Sequence, residues 1–193
     1  MPACEPTSTT FPIIREGIAL YDLKGSTPFI TPKPKTAEDI LATALKHNDF
    51  WMPLAQHSLK LSRDSIQDQV LRDAALLLHQ AVERAYTCFL LVKTNYSPST
   101  HSIKFLRSLA EQIDPDLITV WPRETKHDRR LFELLKRAYV DARYSEHYAI
   151  TAEELAWLGE RAKRGALVEA CSLETIDQLR ADRKMNPRGI GQR

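Results

Sequence analysis

The sequence predicts an all-α fold, an up-and-down bundle of four to five helices behind an extended, strand-like N-terminal arm. Three observations carry this. Only 6 of the 193 residues are glycine, while Ala, Leu, Glu, Lys, Arg and Gln, which lose little side-chain freedom in a helix, are abundant. Apolar residues return at helical spacing in several successive windows. The prolines gather at one end: Pro2, Pro6, Pro12, Pro28, Pro32 and Pro34 all precede residue 36 and forbid a continuous helix there.

Size and charge narrow the function. A chain of 193 residues holds one good-sized domain with tails. Lys plus Arg number 27 against 25 Asp plus Glu, a net charge of +2, far from the basic excess of a dedicated nucleic-acid binder. Cys4, Cys88 and Cys171 are far apart and form no CxxC, so neither a disulfide framework nor a zinc site is indicated. No metal and no cofactor is expected. The first residues lack a basic segment followed by an apolar core, and no apolar run approaches the ~18 residues of a membrane span. The expectation is a cytoplasmic protein with no membrane partner.

Residues 1–35 form the arm, in which β-branched residues around Gly17 read as a strand over 13–22. Thr36 then offers an N-cap, with Glu38 and Asp39 in the first turn where the helix dipole favours them. Ile40, Leu41, Ala44, Leu45, Trp51, Leu54, Ala55 and Leu61 carry an apolar stripe, predicting a first helix over 36–61, bent near Met52 because Pro53 removes a backbone bond. Ser65, with Asp68 three residues on, predicts the cap of a second helix.

That second helix is the most apolar stretch of the chain, LRDAALLLHQAVERAYTCFLLV over 71–92, and its apolar residues surround the axis, as in a helix packed on several sides. A narrow polar stripe interrupts them: His79, Glu83, Tyr86 and Leu90 share one side. His79 and Glu83 read either as a structural hydrogen-bonded pair or as part of a ligand groove. Cys88 reads as an inert core thiol. After the turn-forming TNYSPST, Ile103, Phe105, Leu106, Leu109 and Ile113 predict a short third helix that Asp114-Pro115 ends. His101 reads as that helix's cap, or as a partner of His79. LITVWPR, 117–123, is too short to assign by periodicity.

The cleanest helix covers 125–143, with Leu131, Leu134, Leu135, Ala138, Tyr139 and Ala142 on one face and Arg129, Arg130, Glu133, Lys136 and Arg137 opposite. KHDRR at its start is either a solvated face or a phosphate-binding rim. Thr151 and Glu154 form a capping box for a last helix through Trp157, Leu158, Ala162, Leu167 and Val168, weakened at Gly165. Residues 172–193 add a short helix and a basic tail. The domains are thus an arm over 1–35, a bundle over 36–171 and a tail over 172–193.

LLLHQAVERAYTCFLLV, THSIKFLRSLA, RLFELLKRAYVDARYSEHY and TAEELAWL, in this order and spacing over residues 49–171, resemble the HEPN family, in the branch that accompanies bacterial nucleotidyltransferases. IIREGIALYD resembles the last strand of the minimal nucleotidyltransferase domain that precedes HEPN in fused members, but the Gly-Ser and Asp-x-Asp of its catalytic part are absent. The resemblance implies a homodimeric helical bundle that works with a separate nucleotidyltransferase. Ribonuclease members carry an Arg, four to six residues, then a His, because the Arg holds the scissile phosphate and the His moves the proton of the 2′-hydroxyl. Arg143 to His147 matches that place one residue short, and Tyr148 follows His147 directly. Arg72 and His79 have the spacing but lie inside the central helix, where the match is chance.

The leading expectation is a module, not itself an enzyme, that binds a nucleotide or RNA phosphate through His79, Glu83, Arg137, Tyr139, Arg143 and Tyr148. The alternative is a metal-independent ribonuclease of a toxin-antitoxin type system, with Arg143 and His147 as catalytic residues. A second alternative is a structural dimerisation module without ligand.

Overall fold

The computed structural model describes residues 36–164. The predicted strand in the arm, the continuation of the last helix past Gly165 and the C-terminal tail lie outside the described residues. Within them the protein is all-α: helix α1 (Ala37–Gln67), α2 (Leu71–Thr94), α3 (Ile103–Ile113), a 3-10 helix (Pro115–Val120), α4 (Lys126–Tyr144) and α5 (Ala152–Arg164).

Thr36 caps α1 as expected, its hydroxyl accepting from the Asp39 N–H at 3.1 Å while the Asp39 carboxylate accepts from the Thr36 N–H at 3.2 Å. Pro53 sits inside α1 without ending it. The helix outlasts its predicted end at Leu61 by six residues, reaching Gln67, because the reversal is made by backbone rather than by a cap. Gln69 takes the left-handed conformation at φ 61°, and the Val70 N–H reaches back to the Ser65 carbonyl at 2.9 Å, closing the end of the helix in the Schellman manner. Ser65 is therefore a residue of the last turn of α1, not the cap of α2, which starts after Val70 with no side-chain cap.

So short a reversal lays α2 antiparallel on α1. The central helix packs on all four other α-helices, and Ala74, Ala75, Leu78, Tyr86, Cys88 and Phe89 are fully buried. Each large apolar side chain so buried contributes about 1.5–3 kcal/mol relative to exposure. The stretch too short to assign by periodicity is the 3-10 helix and the residue after it, with Leu117, Val120 and Trp121 buried. Trp121 is locked in place because its indole N–H donates to the Tyr86 hydroxyl at 3.1 Å, a bond between two fully enclosed rings.

Capping boxes start α4 at Thr125 with Asp128 and α5 at Thr151 with Glu154, whose reciprocal bonds measure 3.0 and 3.2 Å. Between α4 and α5 the chain runs through a turn carrying Glu146 and His147. Arg72 of α2 closes this end of α4: its Nε donates to the Ala142 carbonyl at 2.9 Å and its Nη2 to the Ser145 carbonyl at 2.8 Å. These are carbonyls that a helix end leaves without intrahelical partners. The Arg of the chance Arg72/His79 spacing is thus an architectural residue.

Candidate functional site

His79, on the polar stripe of α2, is only 1% exposed. Its Nδ1 lies 2.9 Å from the Leu135 carbonyl of α4 and its Nε2 lies 3.1 Å from the His101 carbonyl in the loop before α3. A neutral imidazole donates to one of these and an imidazolium to both. Burial pushes the pKa below the ordinary 6.5, against the upward pull of the two carbonyls and of Glu83. The ring pins the loop carrying His101 to α4.

Glu83, a turn further along α2, is 3.7 Å from His79 Nε2, too far for a hydrogen bond. Its carboxylate instead meets His101 Nδ1, with Oε1 at 3.1 Å and Oε2 at 3.3 Å. The His101 ring stacks on Tyr139 of α4, centroids 4.3 Å apart and planes 16° apart, and His79 lies 5.4 Å from the same ring. Arg143 arrives from one turn along α4: its guanidinium lies 4.6 Å from the Tyr139 centroid and 5.1 Å from that of Tyr144, and its Nε donates to the Tyr139 carbonyl at 2.8 Å. The two readings of Arg143, a residue satisfying helix C-terminal carbonyls and an arginine against aromatic faces, describe one arrangement.

Four of the residues singled out from the sequence thus meet: His79, Glu83, Tyr139 and Arg143. The others lie apart. Arg137 is exposed and paired with Asp141 through Nε at 2.6 Å. Tyr148 is buried and its hydroxyl donates to the Leu134 carbonyl at 3.1 Å; burial raises its phenol pKa. His147 is exposed in the turn after α4.

His101, read first as a cap, is the residue that completes the cluster. The cap of α3 is Ser102, whose hydroxyl accepts from the Phe105 N–H at 3.4 Å. The other reading, a partner of His79, agrees with the contact of the His101 carbonyl with His79 Nε2; what the local sequence does not show is that the ring meets Glu83 and Tyr139, which come from two other helices. Its side chain is 59% exposed, so the site opens to solvent at the imidazole.

Beside His101, starting at Ser102, a cavity of about 570 Å³ runs between α3 and the first half of α4. Lys104, Phe105, Arg107, Arg123 and Arg129 line it together with Glu111. Glu111 accepts from Arg107 Nε at 2.6 Å and from Arg123; burial raises its pKa, but the two guanidinium partners outweigh that and hold it below the usual carboxylate value. Arg129 donates to the Arg123 and Glu124 carbonyls, and Arg130, next in the KHDRR run, pairs with Glu154. A wider hollow of about 810 Å³ lies along α1 between Glu38 and Phe50; it contains none of the clustered groups and is not the site. Among the described residues no three His, Cys, Asp or Glu side chains are placed to hold a metal ion, and no helix is long and apolar enough to cross a membrane.

A helical bundle with an arginine, a tyrosine and a histidine against one another at the end of its cleanest helix defines a class rather than a single activity. The family model of the HEPN domain matches residues 49–164, and the chain belongs to the HEPN family. A comparison with curated proteins finds no match.

Proposed function

We propose that the protein binds a nucleotide or RNA phosphate on the platform made by His101, Tyr139 and Arg143. The observation that carries this is the open stack of imidazole, phenol and guanidinium, two cationic or proton-bearing groups laid on one aromatic ring. Such a platform offers a base a surface to stack on and a phosphate a planar set of donors. The basic and aromatic cavity that starts at Ser102 gives a strand longer than one nucleotide a path away from the platform. Val140, 52% exposed, and Tyr144, 75% exposed, stand a turn apart on α4 and provide an apolar face for a second copy of the chain, so the module works as a homodimer. The nucleotidyltransferase-like end of the arm supports a nucleotidyltransferase as its partner protein.

Calorimetry with ATP, GTP and a short single-stranded RNA tests the reading. Binding of at least one of these is expected, with Arg143→Ala and Tyr139→Ala each weakening it about tenfold, the ~1.4 kcal/mol of one stacked or charge-assisted contact. No binding of any of the three would leave a structural dimerisation module instead.

A further inference from the structure

Three cations lining the cavity between α3 and α4 have donors that the fold leaves without an acceptor. Lys104 makes no hydrogen bond or ion pair among the described residues. Arg123, 53% exposed, meets Glu111 through Nη2 alone. Arg129 gives only its Nη1, to the Arg123 and Glu124 carbonyls. Both carboxylates of the cavity already carry partners: Glu111 has Arg107 and Arg123, and Glu133 has Lys136. Between the cations the walls are apolar. Phe132 lies under the Arg107 guanidinium at 4.6 Å, Pro122 stands on the loop side, and Phe105 is 48% exposed. The volume, about 570 Å³, is that of a ligand pocket, in which a few convergent polar groups are set in apolar walls.

That the unengaged groups are all donors decides among anions. A nucleobase enclosed here brings N–H donors of its own, and the hydroxyls of Ser102 and Ser108 are already engaged with the Phe105 backbone. A carboxylate brings acceptors only, so an apolar side chain flanked by carboxylates leaves no polar group unpaired. The cations come from three segments, Lys104 on α3, Arg123 in the loop before α4 and Arg129 on α4, which asks for more than one carboxylate. We propose that this cavity is the docking site for an acidic peptide segment of a partner protein. An aromatic or branched apolar side chain of the peptide packs on Phe105, Pro122 and Phe132, and the carboxylates beside it accept from Lys104, Arg123 and Arg129. Arg107 serves as the floor, with its Nε on Glu111 and its Nη2 on the Trp121 carbonyl. The docking site is separate from the platform and its ligand carries no phosphate. Where a strand leaves the platform by the same route, peptide and strand exclude each other, and a docked peptide confines the platform to a single nucleotide.

The probe is a blocked, fluorescently labelled peptide with two glutamates on each side of one phenylalanine, followed by fluorescence polarisation at low salt. Saturable binding is expected, weakened about tenfold by Lys104→Glu, the effect of one lost charge-assisted hydrogen bond, and about fivefold by Phe105→Ala. Both side chains are exposed, so both variants should fold, and their melting curves check this. A peptide with glutamine in place of every glutamate should not bind, and phenylacetate, which offers one carboxylate, should bind far more weakly. No binding of the acidic peptide overturns the proposal, as does binding that both variants leave unchanged or that the glutamine peptide reproduces. Phenylacetate binding as tightly as the peptide makes the cavity a site for small acids and overturns the peptide. A single-stranded RNA that binds while the peptide does not, and that Lys104→Glu weakens, gives the cavity to nucleic acid and also overturns it. Since the peptide is measured without any nucleotide, failure of the platform leaves this result standing.

Discussion

Two clusters in this bundle are built from the same materials and end in opposite conditions. Around Glu111, Arg107 and Arg123 share one carboxylate, and Arg107 lies over the Phe132 ring at 4.6 Å. Around Glu83, a histidine shares the carboxylate and a tyrosine takes the place of the phenylalanine. The difference lies in how much remains to be satisfied. Arg107 is 6% exposed and gives a further hydrogen bond to the Trp121 carbonyl at 2.7 Å, so this cation serves to fasten the loop after the 3-10 helix. His101 has its Nδ1 on Glu83 and keeps 59% of its side chain exposed. A buried charged group holds structure when its donors are spent inside the fold, and becomes available to a ligand when one of them is left at the surface.

The sharpest break in this contrast comes from Arg107→Ala. Removing one member of a buried ion pair leaves the other charge poorly compensated, which costs on the order of 3–5 kcal/mol. Arg123 still reaches Glu111 from the surface, so the lower part of that range is expected. Urea denaturation should show a large fall in the midpoint, with the near-ultraviolet signal of Trp121 lost first because its carbonyl anchor is gone. A variant as stable as the native protein would place the Arg107 cluster with the open one.

Those two clusters also separate what was legible in the sequence from what was not. The helices were legible, because burial on one side imposes apolar spacing that survives in the chain: Leu131, Leu135, Ala138 and Ala142 mark α4 and are buried. Caps with a side-chain signature, at Thr36 and Thr151, were legible for the same local reason. The end of α1 was not, since a left-handed Gln69 and a backbone bond from Val70 leave no side-chain signature. Tyr139 and Arg143, a turn apart on one helix, could be seen as neighbours. His101 could not be joined to them, because its contacts span three segments and depend on how the bundle closes. Arg72 is the converse case, a spacing that resembles a motif and serves to hold a helix end.

His79 tests the closed side more gently. Its folded pKa is lowered by burial, so as pH falls below the ordinary 6.5 the unfolded chain takes up a proton that the folded chain resists. Stability therefore falls with falling pH from that point and levels off below the folded value. His79→Gln should lose about 1–2 kcal/mol near neutral pH through its incomplete replacement of the carbonyl contacts, and should lose less additional stability than the native protein between about pH 7 and about pH 5. Parallel pH profiles of the unfolding midpoint in the two proteins would show that His79 carries no such linkage. Arg72→Ala, which frees the half-buried carbonyls of Ala142 and Ser145, should cost about 1 kcal/mol. Its mark should be local, as faster amide exchange in the turn that follows α4, with the α1–α2 pair unaffected.

A modest stability effect belongs to the residue that opens the proposed platform to solvent. His101 exposes more than half its side chain, and its contact with Glu83 is an ion pair only when the imidazole is protonated. Exposed pairs of this kind contribute under about 1 kcal/mol, and the stack on Tyr139 adds about 0.5–1.5 kcal/mol at most. His101→Ala should therefore fold and melt closer to the native protein than Arg107→Ala does, while the Arg107 variant loses stability for reasons unconnected with ligands. The backbone carbonyl of residue 101 remains in the alanine variant, so His79 keeps its anchor and the loop keeps its place. If His101→Ala were instead as destabilised as Arg107→Ala, the Glu83 cluster would be a second structural fastening, and the exposed imidazole on which the proposed binding platform stands would be an incidental feature of the surface.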